Sequence, residues 1–125
     1  MGNEVHLEDI IIDCFDEATM QRFYSSLFGW EKQTAYGHLA VKNASGLLLI
    51  FIHEADFVPP VWPEEVHQQQ KQLHFDFEVQ DVKPFVLKAL ALGGKMAHEQ
   101  FGGEQWTTML DPSGHPFCLC RQEND

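Results

Sequence analysis

One pattern of capping residues and glycines occurs twice in this chain, 65 residues apart, and this duplication constrains the fold more than any other feature. Asp16 and Asp81 each stand before a helical run of apolar residues, where an N-cap is expected. Gly29 and Gly94 each follow such a run, where helices commonly end. A repeat of this length is too long for a solenoid unit, so we interpret it as two copies of one module.

Each half is predicted to contain a strand, a helix and three further strands. Runs rich in β-branched and aromatic residues predict strands, and turn signals rich in glycine, proline and asparagine separate them. The predicted strands cover 9–14, 31–34, 38–42 and 47–53 in the first half, and 74–79, 95–99, 106–110 and 116–122 in the second. We therefore predict an α+β fold of two tandem β-α-β-β-β modules within a single domain over 1–125. Module one covers about 5–55, a connector about 56–72 and module two about 73–122.

The charge balance excludes several classes of partner. The sequence contains 8 Lys+Arg and 19 Asp+Glu residues, and its net charge of -11 repels nucleic-acid phosphates and anionic lipid headgroups. Its longest apolar run, 47–52, is far shorter than a membrane span. Its 3 cysteines, without a Cys-x-x-Cys pair, indicate neither a disulfide framework nor a structural zinc site. We therefore expect a cytoplasmic protein without nucleic-acid or membrane partners.

Five short motifs, in this order along the chain, carry a resemblance to a known superfamily. They are Phe23-Tyr24-x-x-Leu27-Phe28-Gly29-Trp30-Glu31, Pro60-x-Trp62-Pro63, Gln72-Leu73-His74-Phe75-Asp76, Leu90-x-x-Gly93-Gly94 and Asp111-Pro112-Ser113-Gly114-His115-Pro116-Phe117. Together they resemble the vicinal oxygen chelate superfamily, which has the glyoxalase and bleomycin-resistance fold, and within it the glyoxalase-like branch. The resemblance implies that the two modules form a curled mixed sheet around a concave cavity. Proteins of this type often associate, so we also expect a homodimer.

The resemblance also implies where a metal would bind. In the metal-dependent members, the first and last strands of each module supply one ligand each, commonly His or Gln and then Glu. Asp9, His74 and Cys118 occupy three of these four positions in this sequence. Imidazole, carboxylate and thiolate groups all bind divalent metals such as Zn, Ni, Mn or Fe. These three residues are therefore the predicted metal ligands.

The fourth ligand position depends on how the two last strands are aligned. Aligning Gly46 with Gly114 places Ile50 there, whereas keeping the offset of 65 places His53 there. An isoleucine offers no ligand atom, so the family pattern is degraded in this chain. We therefore expect no cofactor, and a divalent metal held by the three residues above is the alternative.

Alternation along the first strand of module two predicts which side chains line the cavity. His74, Asp76 and Glu78 face it, because the phenylalanines between them face the helix. Trp62 in the connector and Trp106 at the start of a strand are expected near the cavity mouth, although either tryptophan could equally belong to the core. The predicted ligand-binding residues are His74, Asp76, Trp62, Trp106, Ile50 and Cys118.

These residues leave more than one class of function open. The first is a small-molecule-binding protein that holds its ligand in the cavity and has a degraded metal site. The alternative is a metal-dependent lyase, isomerase or dioxygenase of the glyoxalase type, and a third is a partner-binding dimer with a filled cavity. No catalytic residue is assigned. Cys118 is a nucleophile activated by His74 in one interpretation and a small buried hydrophobe in the other. If His74 is not a metal ligand, it is a polar cavity side chain held by Asp76 or Asp9.

Overall fold

The computed structural model describes residues 2–123 and contains two copies of the predicted order of strand, helix and three strands. The chain divides into two compact units between Phe57 and Val58. The first unit contains β1 (Asp9–Cys14), α1 (Glu17–Phe28), β2 (Glu31–Ala35), β3 (His38–Lys42) and β4 (Leu48–His53). The second contains β5 (Phe75–Val79), α2 (Val82–Ala91), β6 (Lys95–Met96), β7 (Trp106–Leu110) and β8 (Pro116–Arg121). The predicted α+β class is confirmed.

Each unit has one four-stranded mixed sheet in which the first and last strands are parallel neighbours. The strand orders are β1-β4-β3-β2 and β5-β8-β7-β6, and the other neighbours are antiparallel. Residues paired across two strands point to the same face of a sheet, and successive residues point to opposite faces. The register of the first and last strands therefore decides which side chains meet on each face.

The core of the first unit lies between α1 and its sheet. Tyr24 of α1 stacks on Phe51 of β4, with ring centroids 5.9 Å apart. The α1 side chains that repeat at helical spacing are buried: Met20, Phe23, Tyr24 and Leu27. Each such large apolar side chain contributes about 1.5–3 kcal/mol when it is removed from water. Among the residues described, neither helix is long and apolar enough to span a bilayer.

The two N-cap aspartates share an extended backbone but not a hydrogen-bonding pattern. Asp16 accepts a hydrogen bond from the Thr19 backbone N–H at 3.0 Å. Asp81 makes no side-chain hydrogen bond to its helix. The residue three positions after Asp81 is Pro84, which has no N–H to donate. Only the first of the two predicted caps therefore stabilises its helix through its side chain.

We expect Asp16→Ala to lower the free energy of unfolding by about 1 kcal/mol, because it removes a side-chain cap. Asp81→Ala is the matched control at the equivalent position, and we expect it to change this free energy by no more than about 0.5 kcal/mol. Urea unfolding of the wild type and both variants measures the difference. Equal losses in the two variants would contradict the capping argument.

The strand predicted at 95–99 is shorter in the structure, where β6 ends at Met96. The Ala97 N–H still donates to the Thr108 carbonyl oxygen at 3.0 Å. Beyond this point the Gln100 side chain bonds both backbone groups of Thr108. Gln100 Nε2 donates to the Thr108 oxygen and Gln100 Oε1 accepts from the Thr108 N–H, each at 2.8 Å. A side chain therefore takes over the hydrogen bonds that a longer strand would have made.

The segment that follows Val58 packs within the second unit. The Val61 N–H donates to the Gln69 carbonyl oxygen at 3.0 Å, which closes a loop inside this segment. A Cβ atom added at Gly114 would lie 2.9 Å from Pro59 Cβ, so the segment also lies against the turn before β8. The division of 1–125 into two modules and a connector within one domain stays a prediction.

Candidate functional site

Three side chains on adjacent strands of the second sheet form one row. Asp76 on β5 is paired with Cys118 on β8, and Cys118 is paired with Thr108 on β7. They point away from the face that carries Phe77 and Phe117, whose rings are 5.8 Å apart. We call the face with the Asp76, Cys118 and Thr108 row the polar face of the second sheet.

His74, the residue immediately before β5, lies next to this row. Its Nε2 atom lies 3.3 Å from Asp76 Oδ1, and their side chains are 35% and 63% exposed. Cys118 is 4% exposed, and its Sγ atom is hydrogen-bonded to Thr108 Oγ1 at 3.3 Å. One ligand atom from each of His74, Asp76 and Cys118 lies within 4.8 Å of the other two. The row therefore combines a buried thiol with two accessible groups that water or a ligand can reach.

Burial and negative charge hold the thiols of this face in the protonated form. Burial raises the pKa of Cys118 above its usual 9.0, the hydrogen bond with Thr108 opposes this in part, and the Asp76 carboxylate adds to the rise. Burial, followed by the charges of Asp76, Cys118 and Glu78, raises the pKa of Cys120 to about 11. A nucleophilic cysteine needs the opposite environment, so these surroundings do not support the nucleophile interpretation of Cys118.

Trp62 lies beside His74, with ring centroids 6.2 Å apart. Its indole Nε1 donates to the Glu99 carbonyl oxygen at 3.4 Å, and its ring lies 6.2 Å from that of Phe101. Lys71 Nζ is 4.9 Å from the centroid of the same ring. Contacts within the second unit therefore hold Trp62 next to the His74 and Asp76 pair.

Trp106 is 39% exposed and pairs with Cys120, which pairs with Glu78 on its other side. It therefore lies on the polar face, one cross-strand row away from Cys118. A Cβ atom added at Gly102 would come within 2.6 Å of the Trp106 indole, so only glycine leaves room for the ring there. Of the predicted ligand-binding residues, the second unit carries His74, Asp76, Cys118, Trp62 and Trp106.

The first unit carries the remaining predicted residues, Asp9 and Ile50. Asp9 begins β1 and is paired with Leu48. Its role as a metal ligand stays a prediction. Ile50 is paired with Ile11 across β1 and β4, and with Ala40 across β3 and β4. The row in the first unit is therefore entirely apolar at the positions where the second unit has Asp76, Cys118 and Thr108.

The register also separates the two alternatives for the fourth position. Ile50 pairs with Ile11, the third residue of β1, and Cys118 pairs with Asp76, which corresponds to Ile11 at the offset of 65. Ile50 is therefore the equivalent of Cys118, which favours the alignment of Gly46 with Gly114. His53 instead lies at the end of β4, where its Nδ1 atom is 2.6 Å from the Phe15 carbonyl oxygen. The offset between the units is therefore 65 at the N-caps but larger in the last strands.

Sequence reasoning missed two residues of this site, Thr108 and Gln100. Thr108 bonds Cys118, and Gln100 bonds the backbone of Thr108. Thr108 could have been predicted from alternation along β7, because Thr108 lies two positions after Trp106 and shares its face of the sheet. No sequence pattern marks Gln100, whose role depends on a loop that returns to the sheet edge.

The donor atoms of this site fit a divalent ion of the zinc type. Nitrogen, sulfur and oxygen ligands at about 2.0–2.3 Å are usual for Zn²⁺, and three protein ligands with one open position are usual at catalytic zinc sites. His74 and Asp76 are accessible enough for their side chains to rotate toward an ion beside Cys118. A thiolate ligand disfavours Mg²⁺ and Ca²⁺, which prefer oxygen.

Comparisons with known proteins agree with this fold. A family model described as a glyoxalase-like domain matches residues 9–120. A search of curated proteins finds no match. A glyoxalase/bleomycin resistance protein/dioxygenase family enzyme from Burkholderia phytofirmans PsJN is similar, with a TM-score of 0.71 and 14% identity over 94% of this chain and 98% of that chain.

Two further solved structures are similar over most of their length. The fosfomycin resistance protein FosX from Mesorhizobium loti has a TM-score of 0.69 and 13% identity over 98% of this chain and 94% of that chain. A glyoxalase-related enzyme from Fulvimarina pelagi has a TM-score of 0.66 and 17% identity over 94% of this chain and 88% of that chain. Identities this low establish the fold and leave the ligand open.

Proposed function

Because this chain belongs to the glyoxalase-like domain family, whose model matches residues 9–120, we propose that it binds a small organic molecule on the polar face of the second sheet. The observation that carries the proposal is that His74 is close to both Asp76, at 3.3 Å, and the Trp62 ring, with ring centroids 6.2 Å apart. Small-molecule sites combine apolar and aromatic walls with a few polar groups that fix orientation. His74 and Asp76 supply the polar groups, and Trp62 and Trp106 supply the aromatic surfaces.

The proposed binding does not require the four-ligand metal site of the metal-dependent relatives. Two of its positions depart from the family pattern in the first unit, where Asp9 and Ile50 stand. Ile50 is fully buried and offers no ligand atom. The His74 imidazole can instead form a hydrogen bond with the ligand directly, as donor or as acceptor. Asp76 holds the orientation of the imidazole ring.

Binding is tested by screening a fragment set of monoaromatic acids, amines and alcohols by ¹⁵N NMR. Fragments that bind are expected to shift the indole N–H signals of Trp62 and Trp106. His74→Ala is expected to weaken their binding about tenfold or more, because a hydrogen bond to a ligand is lost. His6→Ala, an exposed histidine of the first unit, is the matched control and should bind as the wild type does. No binding, or equal binding to His74→Ala, would contradict the proposal.

A metal-dependent enzyme of the glyoxalase type, a lyase, isomerase or dioxygenase, is the second candidate function. The observation that favours it is the set of three ligand atoms within 4.8 Å of one another. When bound, a divalent metal polarises an oxygen atom of the substrate. His74 and Cys118, two of the predicted metal ligands, would hold the ion, and Trp62 would limit access of water beside His74. Elemental analysis of protein purified without chelator or histidine tag separates this candidate from metal-free binding.

We further propose that the chain works as a homodimer in the cytoplasm. Among residues 2–123, β2 is the last strand of its sheet and pairs only with β3, and such an edge strand favours association with another chain. Cys14, Cys118 and Cys120 form no disulfide within the described residues, as is usual in a reducing compartment. Analytical ultracentrifugation measures the oligomeric state, and a particle with the mass of a single chain would contradict the proposed homodimer.

A further inference from the structure

We infer that the metal ligand set of this chain is contained within the second sheet and consists of His74, Asp76 and Cys118, with Asp76 in place of the ligands that relatives take from their other module. The inference rests on the second candidate function. It differs from the family pattern, because that pattern takes its ligands from both modules and includes the position of Asp9. It also names the class of ion, since the set contains a thiolate.

The first step is the contrast between equivalent rows of the two sheets. In the second sheet, the row across the first, last and third strands is Asp76, Cys118 and Thr108. The corresponding row in the first sheet is Ile11, Ile50 and Ala40. None of these three apolar side chains can bind a cation. The duplicated sheets have therefore diverged into one with a row of donors and one without.

The second step is the proximity of the donors. His74 immediately precedes β5 and lies two positions before Asp76, and its Nε2 atom is 3.3 Å from Asp76 Oδ1. The parallel register then places Asp76 directly beside Cys118 on β8. As a result, all three ligand atoms lie within 4.8 Å of one another, and this is the cluster of metal-binding side chains found among residues 2–123.

The third step concerns which ligand is fixed. Cys118 is paired on both sides, with β5 and β7, and its Sγ atom is hydrogen-bonded to Thr108 Oγ1 at 3.3 Å. Gln100 holds Thr108 through two hydrogen bonds of 2.8 Å to its backbone. Asp76 and His74 are accessible by comparison, at 63% and 35% exposure. Cys118 thus provides a fixed ligand, and the other two adjust to an ion.

The ion class follows from the ligand chemistry. A site of one thiolate, one imidazole and one carboxylate suits Zn²⁺ and its spectroscopic substitute Co²⁺. Mg²⁺ demands oxygen ligands in near-octahedral geometry, which this set does not provide. Three protein ligands leave a position for water or for an oxygen atom of a small molecule.

The test is titration of the untagged, chelator-treated full chain with Co²⁺, followed by absorption spectroscopy. The wild type is expected to bind one Co²⁺ with a thiolate-to-cobalt charge-transfer band that Zn²⁺ abolishes by competition and Mg²⁺ does not. Cys118→Ser should lose this band. Asp76→Asn should weaken Co²⁺ binding about tenfold or more, because removing even a supporting group at a metal site has an effect of this size. Asp9→Asn tests the competing ligand set that includes Asp9, and under this inference its affinity should equal that of the wild type.

The outcomes separate this inference from the function on which it rests. If Asp9→Asn weakens binding and Asp76→Asn does not, the inference is overturned while metal-dependent function stands. If the wild type binds Co²⁺ without a charge-transfer band, the inference fails while metal-dependent function stands. If the wild type binds no Co²⁺, the inference and the second candidate function both fail. Unfolding midpoints of all variants are measured alongside. Asp76 is mostly exposed, so Asp76→Asn is expected to fold as the wild type does.

Discussion

Gly102→Ala is expected to destabilise the second unit by about 1–3 kcal/mol and to displace the Trp106 indole from the polar face. An added Cβ would lie 2.4 Å from the Trp106 carbonyl oxygen, 2.5 Å from its Cδ2 atom and 2.6 Å from its Cγ atom. A backbone oxygen cannot move aside as the end of a flexible side chain can. The methyl group is therefore accommodated only if the whole loop before β7 shifts.

Two hydrogen bonds make that shift costly. The Gln105 N–H donates to the Gly102 oxygen at 2.9 Å, and the Arg121 N–H of β8 donates to the Gln105 oxygen at 2.8 Å. Moving the loop weakens both bonds and separates Trp106 from its ladder partner Cys120. Because Trp106 is one of the proposed aromatic surfaces, fragment binding should weaken together with stability.

Gly103→Ala is the neighbouring control for this prediction. A Cβ atom at Gly103 would meet nothing within 4 Å, but its φ of +56° lies in the left-handed region. We expect a loss of about 1 kcal/mol from backbone strain alone, with the Trp106 indole in place. Urea unfolding measures both losses, and ¹⁵N NMR follows the indole N–H signal of Trp106. An unmoved indole signal in Gly102→Ala, with a loss no larger than that of Gly103→Ala, would refute the steric argument.

The duplication allowed most of the fold to be predicted, because caps and apolar stripes are local signals. Helix α1 begins after Asp16 and ends before Gly29, as the stripe indicates. The same reasoning assigned Asp81 as a cap, but Pro84 removes the N–H that its side chain would bind. A local signal predicts where a helix begins, and the residues that follow decide whether the cap forms a bond.

The register of the last strands was not predictable from one offset, because it depends on loop lengths between the strands. The segment 97–105 before β7 is longer than the two-residue turn 36–37 before β3. This difference shifts β7 and β8 relative to β5, so Cys118 corresponds to Ile50 and not to a residue 65 positions earlier. A change of register by an odd number of residues reverses the face of every side chain in a strand.

The site was predictable only where it depends on local signals such as alternation along a strand. Alternation placed His74 and Asp76 on one face, and the structure puts them 3.3 Å apart. The contact of Cys118 with Asp76 needs the parallel pairing of β5 with β8, which joins residues far apart in the chain. The role of Gln100 could not be predicted, because an irregular loop brings its side chain back to the backbone of Thr108.

Replacing Glu17 is expected to have a comparably large effect on the first unit. One carboxylate oxygen of Glu17 accepts the Leu39 N–H at 3.1 Å, and the other accepts the His53 N–H at 3.0 Å. The second oxygen also lies 2.9 Å from His38 Nδ1. Glu17 thus joins the first turn of α1 to β3 and β4 through a half-buried charge. Glu17→Gln should lower the free energy of unfolding at pH 7 by about 1.5–3 kcal/mol, because an amide NH₂ group cannot accept one of these hydrogen bonds.

The same contacts give this effect a pH dependence of known sign. Burial raises the pKa of Glu17, but the hydrogen bonds from the His53 backbone, His38 and the Leu39 backbone outweigh it and hold the pKa below its ordinary 4.5. A carboxyl whose pKa is lower in the folded state contributes stability that is fully present above pH 4.5 and is lost as the pH falls through the folded-state value. The difference between wild type and Glu17→Gln should therefore shrink below about pH 4.5. Urea unfolding at several pH values measures it.

Glu31→Gln is the control for charge alone, since Glu31 is an exposed carboxylate of β2 in the same unit. Its replacement should change the free energy of unfolding by no more than about 0.5 kcal/mol at pH 7. Protonated Glu17 resembles glutamine in shape and charge, so acid should remove most of the advantage of the wild type over Glu17→Gln. A difference that stays constant from pH 7 to well below 4.5 would mean that the negative charge of Glu17 is not what stabilises the first unit.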